Sequence, residues 1–385
     1  MKIAMVTADY LPNVGGITSH IVGISHAMAK QGHIVKVWFW DSQNRAPVSV
    51  GNVSTEPLEF KPLIFRPRGI GVWYSITLAR ELRGKIADFE PEILHTHTLA
   101  PVSLSMRWLG ASPTYRRIFT NHSSGYLKMV KTRLGRQSLK FYCGAFDGLL
   151  APSRELLEKS RLLGLDDERC QYIPNGVDAE KFAPGDKREA RSRLNLPHEK
   201  VVLLATRRFV VKNGLRYLAL ALDMVRKHVP NVLCVFCGSA ADNEELPTVK
   251  KIISQYALDP YVRFEGDVPN DKIKNYLDAS DIVILPSLVE ATSISGLEAM
   301  SAAKPIVGTK VGGIAELVVD GVTGTLVDPA DASALACGIV QTVKRMDLRT
   351  MGNTARQRVL ERFTWEKVAA QTVDFYRIIQ EMAPC

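Results

Sequence analysis

Short apolar runs alternate with helix-forming segments along this chain, and they come in two separate series. In the first series Ile3–Ala8, Ile34–Trp40, Ile93–Thr98, Arg117–Asn121 and Gly148–Pro152 read as strands, with helices at Thr18–Gln31, Ser75–Asp88, Val102–Leu109 and Arg154–Leu163. In the second, strands are expected at Val201–Thr206, Val232–Cys237, Val262–Glu265, Asp281–Leu285, Pro305–Thr309 and Gly324–Val327, again with helices between them. Near-continuous apolar strands separated by helices predict mainly parallel sheets covered on both faces. At 385 residues the chain exceeds what one core usually fills. Two successive doubly wound domains are therefore expected in place of one enlarged sheet. Ile173-Pro-Asn175-Gly176-Val-Asp178 is a turn-rich junction, and Phe182-Ala-Pro-Gly-Asp-Lys-Arg188 begins a polar linker. The expected division is 1–183, 184–364 and a last segment 365–385, where Trp365 to Met382 reads as an amphipathic helix returning to the first domain.

No apolar run is long enough to span a bilayer. Lys2-Ile-Ala-Met-Val-Thr-Ala8 reads directly as a strand and not as a signal peptide, so a cytoplasmic location is expected. The six cysteines suggest neither a disulfide framework nor a metal site. Cys234-Val-Phe-Cys237 has a ligand-like spacing, but residues three apart on a strand point to opposite faces, and core packing is the expectation.

Net charge is +9, and its placement is uneven: no acid lies between Glu92 and Asp147, a span that holds Arg107, Arg116, Arg117, Lys128, Lys131, Arg133, Arg136 and Lys140. Such a block favours an anionic partner. Within it, Tyr126 to Ala145 reads as one amphipathic basic helix, with Leu127, Val130, Leu134 and Phe141 on one stripe. Residues 126–145 are thus a candidate for docking on an anionic membrane surface, as a peripheral protein of its inner face. The plainer alternative is a solvated face of a sheet-covering helix. Nucleic acid is not the expected partner, because aromatic stacking positions are not interleaved with the charges.

The chemistry concentrates after strand Asp281–Leu285. Glu290 and Glu298 bracket a polar turn that leads into a helix-forming run, Pro286-Ser-Leu-Val-Glu-Ala-Thr-Ser-Ile-Ser-Gly-Leu-Glu-Ala-Met-Ser301. Ligands of doubly wound domains settle at the carboxyl ends of strands. Helix amides there suit a phosphate, and carboxylates suit hydroxyls. Ser295 and Glu298 also have the spacing of a capping box, which would make the acid a purely local device. Arg207 and Lys212 follow strand Val201–Thr206 and could neutralise a diphosphate. Gly15-Gly16 before the first helix permits close backbone approach, and Gly308-Thr-Lys-Val-Gly312-Gly313 is another Gly-rich turn into a short helix. His95 and His97 share a strand face, but no third ligand has sensible spacing, so no metal site is expected. His122, at the end of the next strand, is better placed for substrate contact or proton handling.

Taken together these motifs resemble the GT-B glycosyltransferases, specifically the retaining family 4. They stand in the family's order: Gly15-Gly16, His95-Thr-His97, His122, Asn175-Gly-Val-Asp178, Arg207 with Lys212, Glu290 and Glu298, then Val311-Gly-Gly-Ile-Ala-Glu316 and Asp320-Gly-Val-Thr-Gly324. The resemblance implies an α/β fold of two Rossmann-like domains facing across a cleft. It implies a nucleotide-sugar donor, UDP- or GDP-linked, and a saccharide or lipid-linked acceptor. By the same resemblance Arg207 and Lys212 clamp the donor diphosphate and Glu298 holds the ribose. Glu290 then holds the transferred sugar, with Ser293, Ile294 and Ser295 offering amides. Gly15 and Gly16 admit the donor, Val268 lies by the base, and His122 sits near the reacting end. Thr292-Ser293 departs from the family's Phe-Gly at those positions, and there is no Asp-x-Asp, so no metal cofactor is implied. A soluble small-molecule transferase, a GT-B glycoside phosphorylase or a sugar-nucleotide or membrane-binding protein without turnover are the alternatives.

Overall fold

The computed structural model describes every residue except 9, 12–14, 41–52, 59–69, 100, 101, 163–165, 241–243 and 385. It divides into two compact units, Met1–Gly176 with Trp365–Cys385, and Val177–Thr364.

The first unit is built on a seven-stranded sheet: β1 (Lys2–Thr7), β2 (Ile34–Phe39), β3 (Ser54–Pro57), β4 (Ile93–Thr96), β5 (Arg116–Thr120), β6 (Gly148–Ala151) and β7 (Cys170–Tyr172), in the order β3-β2-β1-β4-β5-β6-β7. Every pairing is parallel. β1 has β2 on one side and β4 on the other, so the winding reverses between β1 and β4. On one face Ile21, Ile24 and Met28 of the helix Gly16–Lys30 pack with Val368, Tyr376 and Ile379 of the helix Trp365–Glu381. The last helix is thereby a structural member of the first unit.

The second unit holds six parallel strands: β8 (Val201–Thr206), β9 (Val232–Cys237), β10 (Val262–Gly266), β11 (Ile282–Leu285), β12 (Ile306–Thr309) and β13 (Gly324–Val327), in the order β10-β9-β8-β11-β12-β13. Alternate residues feed two cores. Val202, Leu204, Val283 and Leu285 enter one, and Leu203, Ala205, Ile282 and Ile284 the other. Cys237 lies in the first core and Cys234 in the second, with burial raising both thiols well above their ordinary range. That accounts for the Cys-x-x-Cys spacing. The winding reverses between β8 and β11.

Three details differ from the sequence expectations. The chain divides at Gly176/Val177 and not at 183/184, because the supposed linker is structural. Val177 donates its N–H to the Phe363 carbonyl at 2.8 Å, Phe182 is in the second unit's core, and Arg191 buries its guanidinium against Asp281 and four backbone carbonyls. Two short edge strands, β3 and β7, were not expected. Finally, 126–145 is not one helix. Ser124–Met129 and Arg133–Cys143 are separate, the second started by Thr132, whose hydroxyl accepts the Gly135 N–H at 3.0 Å. Tyr126, Leu127 and Val130 are buried, while Leu134 is 75% and Phe141 47% exposed. Among the described residues no helix is long and apolar enough to cross a membrane.

Candidate active site

In the second unit, the carboxyl ends of β8 and β11 lie side by side at the reversal point, the place where doubly wound folds bind ligands. β8 delivers Arg207 and β11 delivers Ser287 and Glu290. The Arg207 guanidinium donates to the Ser287 hydroxyl at 2.6 Å and to the Ser295 hydroxyl at 3.3 Å, and it forms an ion pair with Glu290. Ser287 in turn donates to the Glu290 carboxylate at 3.4 Å. Burial and the like charge of Arg208 bring Arg207 down to about 10, which leaves it charged at neutral pH. Its Nε is buried and has no hydrogen-bond partner among the described residues. A guanidinium with a spare donor suits a phosphate oxygen.

Backbone contacts hold the surrounding loops in place. Lys212 is exposed on the short turn Val211–Asn213, and its carbonyl accepts the Leu288 N–H at 2.8 Å, tying the lysine turn to the acid loop. Thr309 at the end of β12 donates to the Ser287 carbonyl at 2.6 Å. Gly313 donates to the Glu290 carbonyl at 3.3 Å, and a Cβ there would stand 2.7 Å from the Thr292 Cα. The Gly312-Gly313 motif therefore exists to let one backbone lie against another.

Ser293 is fully buried and is the cap of the helix Ile294–Ser301, its hydroxyl accepting the Gly296 N–H at 3.2 Å. The capping box expected from Ser295 and Glu298 is thus absent, and both side chains are released from local duty. The Ser295 hydroxyl meets Arg207. Ile294 and Ser295 open the helix, where amides have no intrahelical acceptor and the dipole favours an anion. Burial pushes the Glu298 carboxyl up to about 7, against the pull of Lys181. Val268 follows β10 and is half-buried against the core of this unit. The structure brings Arg207, Glu290 and Ser295 into direct contact. It places Lys212, Ser293, Ile294 and Glu298 on the same two loops and the helix they lead into.

In the first unit, Gly15 caps the helix Gly16–Lys30, is exposed, and would set a Cβ in open space. Packing against the described residues does not require a glycine there. His122, after β5, is half-buried, and its Nε2 lies 3.2 Å from the His97 Nδ1. His95 and His97 lie close, with ring centroids 4.1 Å apart. His95 spends one ring nitrogen on the Tyr376 hydroxyl and the other on the Thr120 hydroxyl, each at 2.6 Å. The residue that sequence reasoning missed is His20, whose ring centroid is 4.5 Å from that of His122. Its Nδ1 is held by the Asn175 amide oxygen at 2.8 Å, which gives the Asn175-Gly176 motif a role. Burial pulls His20 down to about 4 and places His97 and His122 well below the usual imidazole range. The cluster is neutral at pH 7 and offers lone pairs, not charge.

Comparison with known proteins finds family matches in both units. The family model described as glycosyl transferases group 1 matches residues 186–358, and that described as glycosyltransferase family 4 matches residues 14–181. The alpha-maltose-1-phosphate synthase of Mycolicibacterium smegmatis is 29% identical over 98% of this chain and 99% of its own. Among solved structures, the sucrose-phosphate synthase of Thermosynechococcus elongatus superposes with a TM-score of 0.80 at 22% identity, covering 98% of both chains. Anabaena HepE in complex with UDP-glucose superposes with a TM-score of 0.76 at 19% identity, covering 97% of this chain and 98% of that one.

Proposed function

Because the chain belongs to the group 1 glycosyltransferases and has their two-domain GT-B fold, we propose that it transfers a hexose-type sugar from a nucleotide-sugar donor to a hydroxyl acceptor with retention of configuration. The observation that carries this is the Arg207–Glu290 pair, set at the carboxyl ends of the two strands where the second sheet reverses. Arg207 and Lys212 take the donor diphosphate and stabilise the charge that develops as it leaves. Glu290 takes hydroxyls of the sugar, Glu298 takes the ribose, and the amides of Ser293, Ile294 and Ser295 line the same loop. In this reading Gly15 and Gly16 admit the donor and neutral His122 serves the reacting end. These cations and amides do the work of a metal on the diphosphate. The bond from the anomeric carbon to the phosphate breaks, and the acceptor oxygen bonds on the same face. Its proton passes to the departing phosphate.

A UDP-sugar is the preferred donor, in line with the UDP-glucose held by HepE. The acceptor is a lipid-linked saccharide of the cell envelope. Lys128, Lys131, Arg133 and Arg136 are exposed and flank the exposed Leu134 in sequence, a combination that suits an anionic lipid surface. A thermal-shift panel of nucleotides and sugar nucleotides identifies the donor, since a ligand bound only by the folded chain raises its melting temperature. Turnover of that donor, followed by the anomeric configuration of the product, then tests the reaction. An inverted product overturns retention, and donor binding without turnover on any acceptor favours a binding protein.

A further inference from the structure

The sequence offers His95 and His97 no third ligand, but the fold supplies a different trio. His20 from the helix after β1, His97 after β4 and His122 after β5 each present a ring nitrogen, and these atoms lie within 4.8 Å of one another. Two of the side chains are almost wholly enclosed, His20 at 4% and His97 at 1% exposure. The His20 Nε2 is buried with no hydrogen-bond partner among the described residues. Buried polar atoms in folded proteins are nearly always satisfied, so this one calls for an occupant.

We propose that His20, His97 and His122 form a binding site for a divalent transition-metal ion of the zinc or cobalt class. Zinc–imidazole bonds of about 2.0–2.1 Å place tetrahedral ligand atoms about 3.3 Å apart, and the His97 Nδ1 and His122 Nε2 are already 3.2 Å apart. Asn175 fixes the His20 ring through Nδ1 at 2.8 Å and leaves Nε2 facing the cluster. This is the outer-shell contact that metal-ligating histidines use to set their tautomer. Trp365 packs edge-on against the same ring at 5.5 Å. His95 lies tilted against His97 with ring centroids 4.1 Å apart but has both nitrogens engaged, so it is a wall of the site and not a ligand. Three imidazoles with an open fourth position are a familiar ligand set for these ions. The ion would staple the carboxyl rim of β1, β4 and β5 within the first unit. The proposed function also gives His122 a part, so the test reads metal binding directly and does not depend on turnover.

The test is a titration of Co²⁺ and Zn²⁺ into the full chain, free of any histidine tag and stripped with chelator. Calorimetry and the visible absorption of Co²⁺ report binding. One equivalent is expected, with a tetrahedral cobalt spectrum and a raised melting temperature. His97→Gln and His122→Gln should each weaken binding at least about a hundredfold, and Asn175→Ala about tenfold. His122 is half-buried, so His122→Gln keeps the test alive if the His97 variant does not fold. Absence of saturable binding, or one equivalent bound equally well by wild type and His122→Gln, overturns the site.

Discussion

Arg207 and Glu290 form an ion pair, one at the end of β8 and the other beyond β11, with side chains 11% and 12% exposed. On the proposed function, a donor diphosphate would compete with that acid for the guanidinium. Donor binding would then be an exchange of partners, in which Arg207 turns to phosphate and Glu290 to sugar hydroxyls.

That exchange makes Glu290→Gln informative. The amide keeps an acceptor oxygen for Arg207 but removes the competing charge. Turnover should fall by about 10²–10³-fold, the range for loss of one preorganised polar contact to a transition state. Affinity for UDP alone should be unchanged or a few-fold tighter. Calorimetry at fixed, low salt reads the difference, since screening would mask it. Weaker UDP binding in the variant would show that Arg207 does not serve the diphosphate.

Glu298 predicts a pH dependence. Its carboxyl stands near 7 in the folded chain against an ordinary 4.5. Between those values the folded chain holds a proton that the unfolded chain has lost, so this group's contribution to stability declines as pH rises from about 4.5 to 7. On the proposed function the donor's ribose hydroxyls donate to this carboxylate, which favours its ionised form. Nucleotide binding should therefore release a proton and tighten from pH 6 to pH 8. Glu298→Gln should flatten that trend. Calorimetry in two buffers of different ionisation enthalpy counts the proton directly.

The readable parts of the sequence were those where one physical signal dominated. β8, β9 and β11 are solid apolar runs, and the fold needed nothing else to place Arg207 and Glu290 beside the reversal. Ser54-Thr-Glu-Pro57 is an edge strand of turn-forming residues, tolerable because an edge leaves Pro57 no second ladder to serve. Its sequence carries no strand signal. The basic stretch reads as one helix on a wheel, because a wheel ignores caps, and Thr132 ends that continuity. His20 sits in an amphipathic helix like any other residue, and only the return of Asn175 to its side reveals its part. Ser293 took the capping role that spacing assigned to Ser295 and Glu298. In each miss a local hydrogen bond or a contact distant in sequence outweighed the pattern.

The exposed basic segment gives a third prediction. Replacing Lys128, Lys131, Arg133 and Arg136 with glutamine should weaken binding to phosphatidylserine vesicles by at least about 10²-fold, at about 1 kcal/mol for each cation near such a surface. Leu134→Ser should weaken binding further without destabilising the chain, since the side chain is 75% exposed. Vesicle sedimentation measures both. Binding that survives the fourfold change would remove the membrane from the acceptor side.

Gly214 provides the last. It follows the lysine turn at φ +66°, and a Cβ there would stand 2.0 Å from the Pro286 carbonyl oxygen, at the root of the acid loop. Gly321 shares the backbone conformation at φ +74° but opens onto empty space. Alanine at Gly321 pays only the left-handed conformation, about 1–2 kcal/mol. Alanine at Gly214 adds a backbone collision that only movement of one loop relieves, for a total of about 3 kcal/mol or more. At about 2–4 °C per kcal/mol for a unit of this size, Gly214→Ala should melt at least about 6 °C lower, and Gly321→Ala clearly less. The collision also separates Lys212 from the loop bearing Glu290, because the Lys212 carbonyl to Leu288 bond spans that contact. Gly214→Ala should thus lose donor turnover below its melting range, while Gly321→Ala keeps it. Equal melting temperatures for the two variants would show that the Pro286 carbonyl yields at no cost.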